Sequence, residues 1–376
     1  MCRWFPQRVF RPLGSFDEAK TATARKPVVF LAVTACLSVP LLHVEWAVSE
    51  NAIENRFWES GAFVGERGPD LPSVVPTILP NREGHGSSMC WAFSQDEAQR
   101  AMTDDLPDYR TRAALRDDLT RIGLRAGDTV MVHAAMSKVG PLLNGPDALS
   151  NAILDVVGPD GTLVVYTSWD SVHDDLLDDD GRVLPEWRDH VPGFDRQVSR
   201  AVRMNGIIAE FVRTMPGARR SGNPGASVAA IGRQAEWITV DHPQDYGFGE
   251  GSPLAKLVEL NGRVLMVGAP WDTMTLVHHA DHLADLPDKA VLRYEVPFAT
   301  AEGTAWRFME EFDTTEPVIA GLPDNYIEQI VTAYVASGSG HEGSIGLAPS
   351  LLVDAKPMLA FAIQWLEGQA ALLGSE

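Results

Sequence analysis

Cysteine is nearly absent from this chain. The three that occur, Cys2, Cys36 and Cys90, all fall within the first 101 of its 376 residues. The 275 residues that follow have none, so no disulfide framework holds them and no thiol nucleophile is available there. That fits a reducing compartment, and a cytoplasmic location is the expectation. Positive charge is also scarce: 31 Lys and Arg stand against 51 Asp and Glu, a net charge of −20. The deficit is uneven, because residues 1–101 carry 10 basic and 11 acidic residues and residues 102–376 carry 21 and 40. A surface this acidic repels nucleic-acid phosphate and concentrates cationic partners, or serves solubility alone. A Walker loop, a dinucleotide fingerprint and a Gly-x-Ser-x-Gly elbow are missing too, and so is any repeat of fixed period.

One apolar run stands out, Val28 to Val44, preceded by Arg25 and Lys26 and broken by Pro40 and His43. It is about as long as a short membrane span. From Glu50 to Ser94, Gly, Pro, Ser and single aromatics are scattered with neither helical nor strand periodicity. Met102-Thr103-Asp104-Asp105 then leads directly into an amphipathic pattern. The leading expectation is that 1–101 is an N-terminal extension ahead of a native start at Met102, and that 102–376 is one catalytic domain. A membrane anchor and a disordered extension are the alternatives.

Helices and strands alternate through that domain. Helical signals cover Tyr109–Ile122, Pro146–Val157, Gly206–Thr214, Pro253–Leu260 and Thr275–Leu286, with Pro near the first turn or Gly just past the end of several. Short apolar strands lie between them at 128–133, 161–166, 227–231 and 263–267. Near-continuous apolar strands between helices imply a sheet covered on both faces. Arg293–Phe298 and Thr304–Phe312 read as an antiparallel hairpin added to that sheet, and helices over Tyr326–Val335 and Lys356–Leu366 close the chain. The expected fold is a three-layer α/β/α sandwich with a mixed sheet. The long segment 168–197 holds nine Asp and Glu; its spacing around Gly181 does not fit a calcium loop, because the first and twelfth positions would be Leu176 and Trp187. A solvated loop and a wall for a polycation are the two readings.

His278 and Asp281, three apart on a helix, share a face. A carboxylate that orients a histidine fixes its tautomer and stabilises the imidazolium, which suits a general base. A buried structural pair is the plainer reading. His278 and His282, four apart, raise a metal site, but position 279 is His where a zinc peptidase needs Glu, and no third ligand has a telling spacing; no metal is expected.

Three blocks occur in order: Ala218-Arg219-Arg220-Ser221-Gly222-Asn223-Pro224-Gly225-Ala226-Ser227, then Gly249-Glu250-Gly251-Ser252-Pro253, then Thr275-Leu276-Val277-His278-His279-Ala280-Asp281. Together they resemble the aminoglycoside N(3)-acetyltransferases of the antibiotic N-acetyltransferase superfamily. Further matches run through about 105–370. They include Met131-Val132-His133-Ala134-Ala135-Met136, Tyr166-Thr167-Ser168-Trp169-Asp170, Phe194-Asp195, Arg203 with Gly206, Glu311-Phe312-Asp313, His341-Glu342-Gly343 and Asp354-Ala355.

The resemblance implies transfer of acetyl from acetyl-CoA to an amine, most often the 3-amine, of a cationic aminoglycoside, with resistance as the outcome. The family pattern Thr-x-x-His-x-x-Glu places His278 at the catalytic centre, with Asp281 standing where Glu is usual. Asn223 stands where the family has a catalytic His before Pro, and it cannot act as a base. The resemblance also implies coenzyme A contacts at His133, Ala134, Ala135, Met136, Arg219, Arg220 and Ser252, with Ala135 in place of a Ser. Acceptor contacts are implied at Asp170, Asp195, Asp281 and Asp313. Met204 and Asn205 replace a usual Gly-Phe. Rival readings are an acetyltransferase of another amine, such as the 2′-amine of kasugamycin-like compounds, a hydrolase built on His278 and Asp281, and a non-catalytic cation-binding module.

Overall fold

A computed structural model describes residues 107–313 and 317–374, together with the backbone of five short strands nearer the N-terminus. The chain divides into two compact units at Pro107/Asp108. In the N-terminal unit, Leu31–Thr34 pairs antiparallel with Leu42–Trp46, which pairs with Ala92–Phe93, and Thr77–Ile78 pairs with Met89–Cys90. The apolar run read as a candidate span thus contributes strand, and among the described residues no helix is long and apolar enough to cross a membrane. The expected start at Met102 lies outside the described residues.

In the larger unit, three parallel strands form the centre of the sheet: β1 (Thr129–Ala134), β2 (Thr162–Tyr166) and β5 (Arg263–Val267), with β1 between the other two. Antiparallel strands extend both sides. β3 (Arg219–Arg220) and β4 (Val228–Gly232) follow β2. On the β5 side come β9 (Ala348–Asp354) and then β8 (His341–Ile345), giving the order β8-β9-β5-β1-β2-β4-β3. The mixed seven-stranded sheet has helices on both faces.

Strand alternation assigns the layers. Val130 and Val132 point to one face, where they pack with Leu115 and Leu119 of α1 (Arg112–Ile122), Leu149 and Ile153 of α3 (Pro146–Val157), and Ile208 of α4 (Ile207–Arg213). The four-residue α2 (Met136–Val139) lies between α1 and α3 in the chain. Met131 and Met266 point to the other face. There they meet α5 (Ala235–Thr239), α6 (Pro253–Glu259), α7 (Leu276–Leu283), α8 (Tyr326–Ala336) and α9 (Ala355–Leu373). Local chemistry sets the ends. Thr111 caps α1 by accepting the Ala114 N–H at 3.2 Å, and Gly123 ends it at φ 110°.

One expectation needs correction. The hairpin, β6 (Val291–Thr300) and β7 (Gly303–Phe312), forms its own two-stranded sheet instead of extending the main one. Its apolar side chains Val296, Phe298 and Met309 pack with Phe194 and Trp169 of segment 168–197, making a small core separate from the sheet. That segment is ordered: Asp178 Oδ1 accepts the N–H groups of Asp180 and Arg182, and Glu295 pairs with Arg188 at 2.6 Å. Strands β8 and β9 were not foreseen; in β8, His341–Ser344 is exposed and glycine-containing and carries no apolar alternation.

Candidate active site

The carboxyl ends of β1, β2 and β5 open on one edge of the sheet, the usual place for a site in such folds. His133 and Ala134 end β1, and β5 continues into Ala269 and Pro270. With Gly206 and Thr275 they line a cavity of about 320 Å³. Gly206 takes φ 79°, and a Cβ there would sit 3.0 Å from the Ala134 carbonyl oxygen, so a close backbone approach shapes this wall. His278 of α7 also lines the cavity.

Helix α7 is buried nearly all round, from Leu276 through Asp281, so each of its polar side chains must find a partner. His278 Nδ1 lies 3.1 Å from Asp281 Oδ2. The carboxylate, wholly buried, accepts a hydrogen bond from Nδ1–H and leaves Nε2 as the basic nitrogen. Asp281 Oδ2 accepts a second bond, from the Tyr326 hydroxyl at 2.7 Å. His279 is turned elsewhere, with Nδ1 on the Phe248 carbonyl at 2.7 Å. Burial holds the His133 imidazole down at about 4, and nearby His278 adds to the effect, so His133 is a neutral wall of the cavity at physiological pH.

A second cavity, of about 130 Å³, shares Tyr166 and Val202 with the first and reaches the hairpin. Its walls combine rings (Trp169, Tyr294, Phe248) with two carboxylates, Asp174 and Glu311. Glu311 Oε1 lies 2.8 Å from His282 Nε2, and Asp174 Oδ1 2.8 Å from His173 Nε2. Burial pushes the Tyr294 phenol upward, and Asp174 and Glu311 reinforce it, which marks a negative potential here. Such a cavity suits an ammonium-bearing ligand that also presents apolar faces.

The structure brings some of the expected residues together and separates others. His133, Ala134, Ala135 and His278 share one cavity, and Asp281 stands directly behind His278. Ala135 donates its N–H to the Val267 carbonyl at 2.9 Å, so that group is already used, and Met136 lies outside the cavity lining. Ser252 is a buried cap of α6, accepting the Ala255 N–H at 3.1 Å. Arg219 pairs with Glu236 on the surface. Arg220 is buried beneath the Phe194 ring and donates to the Ser168 and Ser199 carbonyls. Burial lowers that guanidinium to about 9, and it anchors the loops that carry the acidic cavity instead of reaching a cofactor phosphate.

Asn223 lines the acidic cavity, but its amide is committed. Nδ2 donates to the Pro243 and Gln244 carbonyls at 2.9 and 3.0 Å, and Oδ1 accepts the Ala226 N–H at 2.8 Å. This residue clasps two loops and has no amide hydrogen left for a substrate. Of the expected acceptor carboxylates, Asp170 turns to Arg203, 3.5 Å away, and Asp195 accepts the Gln197 N–H at 2.7 Å. Neither they nor Asp313 line the cavity; Asp174 and Glu311 do. Tyr326, Glu311, Asp174 and His282 were missed as site residues. The Glu311-Phe312-Asp313 block pointed toward Glu311, the reading of 168–197 as a wall for a polycation toward Asp174, and the spacing from His278 toward His282, whereas nothing in the sequence pointed to Tyr326.

The family model for aminoglycoside 3-N-acetyltransferase matches residues 131–367. Aminoglycoside N(3)-acetyltransferase III of Pseudomonas aeruginosa is 43% identical over 268 residues, covering 70% of this chain and 96% of that protein. Aminoglycoside N(3)-acetyltransferase VIII of Streptomyces fradiae is 39% identical over 268 residues, covering 69% and 92%. Among solved structures, the AAC-IIIb binary complex with CoASH superposes with a TM-score of 0.69 at 58% identity, covering 70% of this chain and 98% of that one. Sisomicin-bound AAC-VIa superposes with a TM-score of 0.66 at 32% identity, covering 70% and 99%. With a family match over more than half its length behind the two adjacent cavities, this chain belongs to the aminoglycoside 3-N-acetyltransferase family.

Proposed function

We propose that this chain transfers the acetyl group of acetyl-CoA to the 3-amine of an aminoglycoside, and that the product's lost positive charge weakens ribosomal RNA binding and so confers resistance. The observation that carries this reading is the placement of His278 in a cavity that shares the Tyr166 and Val202 wall with an acidic, ring-lined one. The CoASH complex of AAC-IIIb and the sisomicin complex of AAC-VIa support the assignment of thioester and aminoglycoside to this chain's ligands.

The chemistry follows from the proton inventory. An ammonium nitrogen has no lone pair, so it must lose a proton before it can attack the thioester carbonyl. His278 Nε2 takes that proton, and Asp281 stabilises the imidazolium through Nδ1. The amine nitrogen then bonds to the acetyl carbon and gives up a second proton as the carbon–sulfur bond breaks; of the two protons lost, one passes through His278 to the leaving thiolate and the other goes to solvent. Asp174 and Glu311 bind further ammonium groups and so hold the acceptor beside the histidine. Neutral His133 lines the cavity without adding a positive charge that would repel the acceptor.

The test is thiol release from acetyl-CoA with a panel of aminoglycosides, the product being mapped by NMR. Acetylation at the 3-nitrogen is expected. Acetylation at another amine would move the regiochemical assignment, and no thiol release with any aminoglycoside would sink the reading.

A further inference from the structure

We infer that Tyr326 is a positioning residue for acetyl transfer: its hydroxyl fixes the Asp281 carboxylate, and through it the ring of His278. The inference rests on the reading of His278 as the base. Tyr326 opens α8 and lies 45 positions beyond Asp281, so nothing local brings them together. Tyr326 is 3% exposed and Asp281 0%. A carboxylate this deeply buried is costly unless donors reach it.

The donors reach its two oxygens unequally. Oδ2 accepts from both His278 Nδ1, at 3.1 Å, and the Tyr326 hydroxyl, at 2.7 Å. Oδ1 is buried with no hydrogen-bond partner. One oxygen therefore carries both bonds, and the shorter comes from a different helix. His278 and Asp281 belong to the same turn of α7 and cannot by themselves fix the carboxylate's rotation about its last bond. Tyr326 supplies that external reference.

Tyr326 lines neither cavity, so its effect on the reaction passes through Asp281. The other titratable groups facing the pair are His133 from β1 and Lys289 beyond α7. His133 is neutral near pH 7, and Lys289 donates to the His282 carbonyl at 3.0 Å, so neither takes the place of the phenol.

The experiment is a double-mutant cycle on the full chain with acetyl-CoA and the best aminoglycoside acceptor. Tyr326→Phe removes the hydroxyl alone. It should lower kcat roughly tenfold while leaving both KM values within about twofold, because a lost charge-assisted hydrogen bond misaligns the base without changing substrate contacts. In a His278→Ala background the same substitution should change the residual rate by less than about twofold, since its effect runs through the missing imidazole. An equal fractional loss in both backgrounds would reveal a merely structural role and overturn the inference, as would unchanged kcat in the single variant. His278→Ala with near wild-type turnover would instead remove the base assignment, a separate failure. Folding is controlled by pairing Tyr326→Phe with Asp281→Asn, whose neutral amide does not need the phenol as the charged carboxylate does. That pair should melt like Asp281→Asn alone and be equally slow. Further slowing would count against the inference.

Discussion

His282 Nε2 and Glu311 Oε1 stand 2.8 Å apart and join two elements that the chain separates widely. His282 lies one turn beyond His278 on α7, and Glu311 projects from the hairpin strand β7 into the acidic cavity. The Phe312 ring packs against the same imidazole at 4.7 Å between centroids. The helix that carries His278 thereby also holds a carboxylate of the acidic cavity, which fixes the distance between the proposed base and the proposed acceptor wall.

Glu311→Gln should therefore raise the acceptor KM about tenfold while leaving that for acetyl-CoA nearly unchanged, since a shielded carboxylate binds ammonium more strongly than an amide does. Salt should weaken acceptor binding in the wild type more than in the variant, because the variant has lost a charge for salt to screen. Initial rates at two ionic strengths decide it. A shift confined to the acetyl-CoA constant would place Glu311 on the thioester side.

Loss of the base is more severe. His278→Ala should reduce turnover by about a hundredfold or more at saturating substrates. His278→Gln keeps a side chain of similar reach without the basic nitrogen and should be as slow. Recovery of activity in either variant would transfer the role of base elsewhere.

Asn223 predicts a stability effect where a catalytic one was expected. Asn223→Ala leaves the Pro243 and Gln244 carbonyls without their donor and should cost about 1–3 kcal/mol. Gly247→Ala offers an independent check, because a Cβ at Gly247 would fall 2.3 Å from Asn223 Nδ2 and push the amide out of its clasp. Both variants should melt earlier than wild type. A normal melting temperature with a strongly reduced kcat would return Asn223 to the chemistry.

Stability should fall on mild acidification. His242 Nε2 lies 2.7 Å from the Gly247 carbonyl and Nδ1 2.9 Å from Ser221 Oγ, so Nε2 donates and Nδ1 accepts from the hydroxyl. Burial lowers His242 to about 4, and His133 is lowered to about 4 in the same way. Between that value and the unfolded value near 6.5 the unfolded chain binds the extra protons, so each histidine removes up to about 1.4 kcal/mol per pH unit as pH falls through the window. Thermal midpoints from pH 7 to 5 should show this slope, and His242→Gln should flatten it. An unchanged slope would mean that His242 is already charged when folded.

Much of the scaffold was legible locally. Pro146 in the first turn and Gly158 beyond the end mark α3 at the bounds the structure has, and the run Arg263–Val267 reads directly as β5. The spacing of His278 and Asp281 anticipates their contact, because residues three apart on a helix meet without help from the rest of the fold. The same reasoning failed for β8, where Gly340 to Gly343 carries no apolar alternation. That strand exists because β9 offers it hydrogen bonds.

The site divides along the same line. Residue types and their spacing determined the family pattern, the helix that carries His278 and Asp281, and the acidic balance that suits a cationic acceptor. Only tertiary packing decided which of many carboxylates face the ring-lined cavity, with Asp174 and Glu311 there and Asp170 and Asp195 turned to partners of their own. It also decided that Arg220 and Asn223 spend their hydrogen bonds on loops, and that Tyr326 reaches Asp281 from another helix. The physical reason is range. Helix periodicity and capping act over three or four residues and are written in the chain, whereas a buried polar group takes whichever partner the packed layers bring within about 3 Å.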